Sequence, residues 1–196
     1  VITMELIDVL RRRRMVRDFA ELPLGDDQLA ALADAGVRAP SAGYAQGVSL
    51  LTLTGGRVSR FWAATAGDHA SVWLTGMRRA PALIMVWTSE DSYRRRYAEP
   101  DKGRDPGADW PVPWWWVDAG AVIENILLRA VDLGLGAGLF GLPAGAEQAV
   151  RAEFGVPADQ QAVAAIAIGH RAAGERPRGS ATRRDRRPDA VHVDRW

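Results

Sequence analysis

The chain has 196 residues, 47% hydrophobic and 25% charged, and its 25 basic against 24 acidic residues leave a formal charge of +1. That composition suits one soluble domain over residues 1–196 with a sizeable core. The charge balance argues against a nucleic-acid binder, which needs a broad positive excess. The absence of cysteine excludes disulfides, thiolate chemistry, zinc ribbons and iron–sulfur clusters. No apolar run reaches the length of a bilayer span, and VITMELIDVL carries acidic residues where a signal peptide carries basic ones, so a cytoplasmic protein is expected.

TMELIDVLRRRR predicts a first helix, with Leu6, Val9 and Leu10 on one face, Glu5 and Asp8 near its start and arginines at its end, as the helix dipole favours. GDDQLAALADAGVRAPS repeats the pattern, with Leu29, Leu32 and Ala33 as the stripe and Gly36 near the end. GVSLLTLTG and PALIMVWTS are short apolar runs bounded by Gly or Pro and read as buried strands. Between them, RVSRFWAATAGDHASVWLTGMRR is expected to be helical in part. A short helix then runs to about Ala98, and a loop rich in Pro, Gly and Asp leads to WPVPWWW.

From Asp118, DAGAVIENILLRAVDLGLG is the strongest helix, with Ala121, Val122, Ile126, Leu127, Ala130 and Val131 at core spacing. Beyond Asp118 only Glu124, Arg129 and Asp132 are charged, so a central, largely buried helix is predicted. GAEQAVRAEFG reads as another helix, and QAVAAIAIGH as a strand running into a turn. The tail GERPRGSATRRDRRPDAVHVDRW has the composition of a disordered segment. Yet AVHVDRW alternates like a strand, so the tail is expected to dock, a neighbouring subunit being one candidate surface.

GAGLFG, residues 136–141, matches the glycine pattern of dinucleotide-binding turns, but a helix precedes it and Pro143 follows. Asp159 downstream does not complete a Rossmann site. The glycines are expected to end the helix and let the backbone approach a planar ligand. His69, His170 and His192 are scattered, which argues against a metal site. Ser41 and Ser71 lack a nucleophile-elbow setting, and no catalytic side chain is expected.

RRRRMVRDF, residues 11–19, has a plain reading as a solvated charge cluster closing a helix. Two features favour a phosphate. MVRDF is extended and apolar at alternate positions, so Arg17 can turn back toward the preceding arginines. A second cluster, RRDRRP, lies just before the apolar end of the tail. Guanidinium groups converging from two places can hold one dianion through bidentate bonds.

In order and spacing these segments resemble the nitroreductase-like flavoproteins over essentially the whole chain. RRRRMVRDF is similar to their R-R-S-x-R-x-F segment, and APSAGYAQG to their A-P-S-x-x-N-x-Q-P loop. DAGAVIENILLRAVDLGLGAGLFG is similar to their central helix and glycine turn, and RRDRRPDAVHVDRW to their basic, strand-forming C-terminus. The resemblance implies an α+β fold with a mostly antiparallel sheet flanked by helices, in an intertwined homodimer that exchanges its C-terminal strand and holds FMN at the interface.

It further implies that Arg13 and Arg14 meet the flavin phosphate, that Met15 contributes backbone and that Arg17 reaches the pyrimidine edge. Arg184 and Arg186 would close on the phosphate, or Arg183 or Arg187 in a shifted register. Pro40, Ser41, Ala42, Tyr44 and Gln46 would contact FMN from the other subunit. Gly138, Leu139, Phe140 and Gly141 would lie along the ring, with a backbone N–H near its N5.

Tyr44 departs from the family's usual Asn, and WPVPWWW is outside the general pattern. Three adjacent tryptophans read as core plus interface, or alternatively Trp114, Trp115 or Trp116 roofs the flavin and selects flat substrates. The implied function is an FMN-dependent oxidoreductase passing hydride from NAD(P)H to a nitroaromatic or quinone by a ping-pong scheme. The alternatives are another flavin reaction on the same scaffold (ring dehydrogenation, dehalogenation or flavin breakdown) and a protein that only sequesters FMN.

Overall fold

Unbroken apolar runs occupy the centre of the sheet and amphipathic segments cover its faces. The computed structural model describes residues 4–105, 107–177 and 179–196. Thr3, where the first predicted helix opens, Pro106 of the predicted loop and Arg178 of the tail lie outside the described residues. In chain order the elements are α1 (Leu6–Arg12), α2 (Asp26–Val37), β1 (Val48–Thr54), α3 (Gly56–Ala66), α4 (Val72–Arg78), β2 (Ala82–Thr88) and α5 (Glu90–Tyr97). After these come α6 (Trp114–Asp132), β3 (Gly136–Phe140), α7 (Ala146–Phe154) and β4 (Gln161–Gly169).

The four strands pair antiparallel in the order β1-β2-β4-β3, which gives the α+β fold expected from the sequence. Every residue of β2 is buried, and its alternating side chains serve two cores. Leu83, Met85 and Trp87 pack with Phe61 and Trp62 of α3, Leu74 and Met77 of α4 and Val150 of α7. Ile84 and Val86 pack with Leu32 of α2 and with Val122 and Ile126 of α6. Opposite Leu83 and Met85, β4 places Ala167 and Ala165, so small residues make room for large ones across the ladder.

Two elements differ from the sequence expectation. The central helix begins at Trp114, not Asp118. Pro113 precedes its first turn, and Trp115 anchors that turn by packing against Tyr93 and Trp110. GAGLF is an edge strand, not a turn. Gly134, at φ 72°, ends α6 with Leu135 N–H donating to the Ala130 carbonyl (2.8 Å), so residues 136–140 are free to pair with β4. The segment AVHVDRW forms no strand within its own chain, and Val191, Val193 and Trp196 are exposed, with the His192 ring stacked on Trp196. Alternating residues form a ladder only where a sheet edge is offered to them.

Residues 13–20 form a strap across the sheet. Val16 N–H donates to the Ala137 carbonyl and Ala20 N–H to the His170 carbonyl, both at 2.9 Å, while Val16 and Phe19 are buried. The strap explains two glycines. A Cβ on Gly138 would lie 2.3 Å from the Val16 carbonyl oxygen, and one on Gly76 of α4 would lie 2.2 Å from that of Arg17. On its Cβ side Gly138 therefore accommodates the chain's own backbone. Gly76→Ala is expected to cost about 3 kcal/mol through overpacking against a fixed backbone. Gly56→Ala, where a Cβ meets nothing within 4 Å, is expected to be neutral or slightly stabilising. Urea denaturation of the two variants checks the contrast.

Candidate functional site

The strap, α6 and β3 enclose a cavity of about 250 Å³ lined by Arg12, Arg13, Arg14 and Arg171 together with Val16, Leu127, Leu135 and Ala137. Arg13 Nε lies 3.0 Å from the Glu124 carboxylate. Arg14 donates through Nη2 to Glu175, whose side chain is only 4% exposed, while Arg14 Nη1 is buried without a partner among the described residues. The Arg17 guanidinium lies 3.9–4.0 Å from the place a Cβ on Gly179 would take. The N-terminal arginines thus meet the beginning of the tail. Arg183, Arg184 and Arg186 are exposed in the single chain, and Arg187 pairs with Asp189 at 3.2 Å.

A second group of expected residues is shaped by an unusual backbone. Gly43 (φ 61°), Tyr44 (φ 57°) and Gln46 (φ 50°) are all left-handed, and two of them are not glycine. The Ser41 hydroxyl accepts from Gln46 N–H at 3.0 Å, and Arg96 Nε donates to the Gly43 carbonyl at 2.8 Å. The main anchor is Asp118 of α6. Its Oδ2 accepts from Ala42 N–H and from the Tyr93 hydroxyl, each at 2.7 Å, in a buried setting. Pro40, Ser41, Tyr44, Gln46 and Asp118 line a cavity of about 390 Å³, and Tyr44 projects outward with 77% of its surface exposed.

Sequence reasoning missed Asp118 and Tyr93. The signal is present in Asp118, an acid among apolar neighbours, but its place at the head of the predicted helix gives it a simpler reading as the residue that opens that helix. Burial, then the hydrogen bond to Asp118 and its charge, push the Tyr93 hydroxyl above the ordinary tyrosine range. A folded-state value above the unfolded one contributes stability that is complete below about pH 10 and declines as pH rises beyond it. Wild-type stability is therefore expected to fall with pH above about 10 more steeply than that of Tyr93→Phe, as urea midpoints across alkaline buffers would register.

The third group follows β3. Leu139 N–H contacts the Met15 sulfur at 3.4 Å. Phe140 stacks on Trp62 at 5.4 Å and 13° and meets Trp73 edge-on at 5.5 Å. Phe140 and Gly141 line a cavity of about 390 Å³ with Trp62, Thr65, His69, Ser71 and Trp73. The three tryptophans of the run differ in burial. Trp115 is 6% exposed and belongs to the core with Tyr93 and Trp110, whereas Trp114 and Trp116 are 42% and 40% exposed on the first turn of α6. A helix rotates successive side chains by about 100°, so three neighbours are spread around it and do not present one face. In a single chain the three expected groups line separate cavities.

An antiparallel α+β sheet, an N-terminal strap and an arginine-lined cavity define the class. The nitroreductase family model matches residues 10–71 and 57–170, and the chain belongs to the nitroreductase family. An NADPH-flavin oxidoreductase of Vibrio harveyi is 26% identical over 170 residues, which cover 84% of this chain and 65% of that protein. The chain thus spans just under two thirds of that relative's length. The nitroreductase CinD of Lactococcus lactis, solved with nicotinic acid, superposes with a TM-score of 0.72 at 20% identity, covering 93% of this chain and all of the other. A nitroreductase with bound FMN from Bacteroides fragilis gives 0.68 at 19% identity, covering 97% and 99%. At these identities the likeness concerns the fold. No helix among the described residues is long and apolar enough to cross a membrane.

Proposed function

We propose that the chain is an FMN-dependent cytoplasmic oxidoreductase that draws reducing equivalents from NAD(P)H and passes them to an aromatic acceptor of the nitro or quinone type, the two substrates visiting in turn. The observation that carries this reading is the arginine-lined cavity beneath the strap of a nitroreductase-family chain. Its donor set fits a flavin phosphate. Arg12, Arg13, Arg14 and Arg171 offer forked donors suited to a dianion, and Arg14 Nη1 is a buried donor still lacking an acceptor. The Vibrio harveyi relative is named for NADPH and flavin, and the Bacteroides fragilis protein holds FMN.

In this reading Arg13 and Arg14 bind the phosphate, Met15 contributes backbone, and Arg184 and Arg186 close over it from the tail. Arg17 sits at the pyrimidine edge, where its positive charge favours electron-rich forms of the ring. Gly138, Leu139, Phe140 and Gly141 lie along the ring. Pro40, Ser41, Ala42, Tyr44 and Gln46 come from a second copy of the chain. Separate half-sites in one protomer accord with a site completed across a homodimer. The exposed apolar residues Leu6, Ile7 and Leu10 of α1, Val37 of α2 and Trp114 and Val117 of α6 offer a surface for that copy. Bound FMN supplies the two-electron chemistry, so the protein's part is to hold, orient and shield it.

Purified protein loaded with FMN is expected to be yellow, to bleach with NADPH or NADH without oxygen, and to recolour on adding a quinone. Steady-state rates are expected to give the parallel double-reciprocal lines of a ping-pong scheme. A protein that retains no FMN would overturn the proposal.

A further inference from the structure

We infer that Arg96 is a positioning residue of the FMN site: held at its far end by Asp101, it fixes the Gly43 carbonyl and with it the left-handed loop of residues 43–46. This rests on the reading that residues 40–46 meet FMN, and it adds α5 and the turn after it to the elements that shape the site. Inside the loop, the Ser41 and Ala42 carbonyls accept from Tyr44 and Ala45 N–H at 2.8 and 3.1 Å. The Gly43 carbonyl instead takes its donor from another element, Arg96 Nε at 2.8 Å. Gly43, Tyr44 and Gln46 keep φ values of 61°, 57° and 50°, so a hold from outside opposes relaxation to ordinary backbone.

The geometry of α5 makes that hold specific. Tyr93, Arg96 and Tyr97 have the i, i+3, i+4 spacing of one helix face. A Cβ on Gly43 would lie 2.6 Å from the Tyr97 ring, and one on Gly47 would lie 2.5 Å from the Tyr93 ring. Both ends of the loop thus rest on that face, and Arg96 grips the carbonyl beside one of them. Its Nη1 and Nη2 donate end-on to the two Asp101 carboxylate oxygens at 2.7 and 2.8 Å. A guanidinium is planar and rigid, so fixing two nitrogens on one carboxylate sets the direction of the third. Asp101 sits in a turn closed by Lys102 and Gly103 N–H on the Glu99 carbonyl, at 2.9 and 2.8 Å. The Arg96 and Asp101 side chains are 22% and 58% exposed, and an ion pair so open to water adds little to global stability. Its effect is orientation, delivered at Gly43.

The test compares Arg96→Met, Arg96→Lys and Asp101→Ala with wild type by hydrogen exchange of the FMN-free protein and by FMN binding. Ala42, Tyr44, Ala45 and Gln46 all have paired N–H groups, so a peptide spanning residues 41–47 reports how firmly the loop is held. Arg96→Met keeps the aliphatic stem, and it is expected to speed exchange there about tenfold and to weaken FMN about fivefold. Exchange in β2 is expected to stay at the wild-type rate. Arg96→Lys, which retains a donor for the Gly43 carbonyl, is expected to recover part of both losses. Asp101→Ala is expected to move both readouts the same way by about threefold, and to add nothing in the Arg96→Met background. Unchanged exchange in residues 41–47 of Arg96→Met would overturn the inference. So would faster exchange there with FMN affinity unmoved, or an equal rise in β2, the mark of a general loss of stability. A wild type that retains no FMN counts against the oxidoreductase reading instead, since exchange judges the hold on the loop without the cofactor.

Discussion

Asp118→Ala is expected to lower stability by about 3 kcal/mol, because it strands the buried Tyr93 hydroxyl and the half-buried Ala42 N–H. Its effect on the site is expected to be larger in consequence than in energy. Residues 43–46 include three left-handed conformations, each unfavourable by about 1–3 kcal/mol for a side chain other than glycine, and they persist only where the surroundings over-determine them. Asp118 is a buried acid that ties this loop to the central helix, and Tyr93 braces it from α5. Without the carboxylate the loop can relax toward ordinary backbone, carrying Tyr44 and Gln46 out of place. FMN affinity is then expected to drop about tenfold, equivalent to about 1.4 kcal/mol. Asp118→Asn retains one acceptor oxygen and is expected to fall between alanine and wild type. Urea titration measures the stability and quenching of FMN fluorescence the affinity. A destabilised Asp118→Ala that still binds FMN as tightly as wild type would detach the loop from the cofactor.

The residues that were legible in the sequence are those whose local pattern decides their fate. β2 and β4 are apolar runs between turn residues, and an apolar run of that length has few places to go except the middle of a sheet. Val122, Ile126, Leu127 and Ala130 recur at helical spacing and are buried as that spacing requires. What misled was any feature set by a neighbour distant in sequence. The glycines of GAGLF look like a turn, yet Gly138 is small because the carbonyl of Val16, more than a hundred residues earlier, passes over it. The run of Trp114, Trp115 and Trp116 suits core and interface or a ligand alike, and only the positions of Tyr93 and Trp110 decide that Trp115 is core. The arginine cluster was visible, but Glu175 was not: nothing local distinguishes it from any acid in a polar tail, and its burial against Arg14 depends on how residues 172–175 pack beside the strap. The aromatic cavity was missed for the same reason, since Phe140 of β3 joins Trp62, His69 and Trp73 from a stretch more than sixty residues earlier.

The pair Arg14–Glu175 separates structural from ligand-binding roles. Glu175→Ala leaves the Arg14 guanidinium in a site where only a quarter of its surface reaches water, and it is expected to cost about 2–3 kcal/mol, the low end for breaking a buried pair because that quarter remains solvated. The double variant Arg14→Met, Glu175→Met removes both charges and fills similar volume, so its stability is expected to lie close to wild type. Thermal unfolding of the single and double variants measures this difference. If the stable double variant bound FMN normally, Arg14 would be a structural residue alone. The proposed phosphate role predicts otherwise. Loss of one charge-assisted bond is expected to weaken FMN about 10- to 100-fold while leaving riboflavin, which has the same ring and no phosphate, unaffected. Riboflavin is the decisive comparison, because a distorted strap would weaken both flavins and a missing phosphate ligand only one.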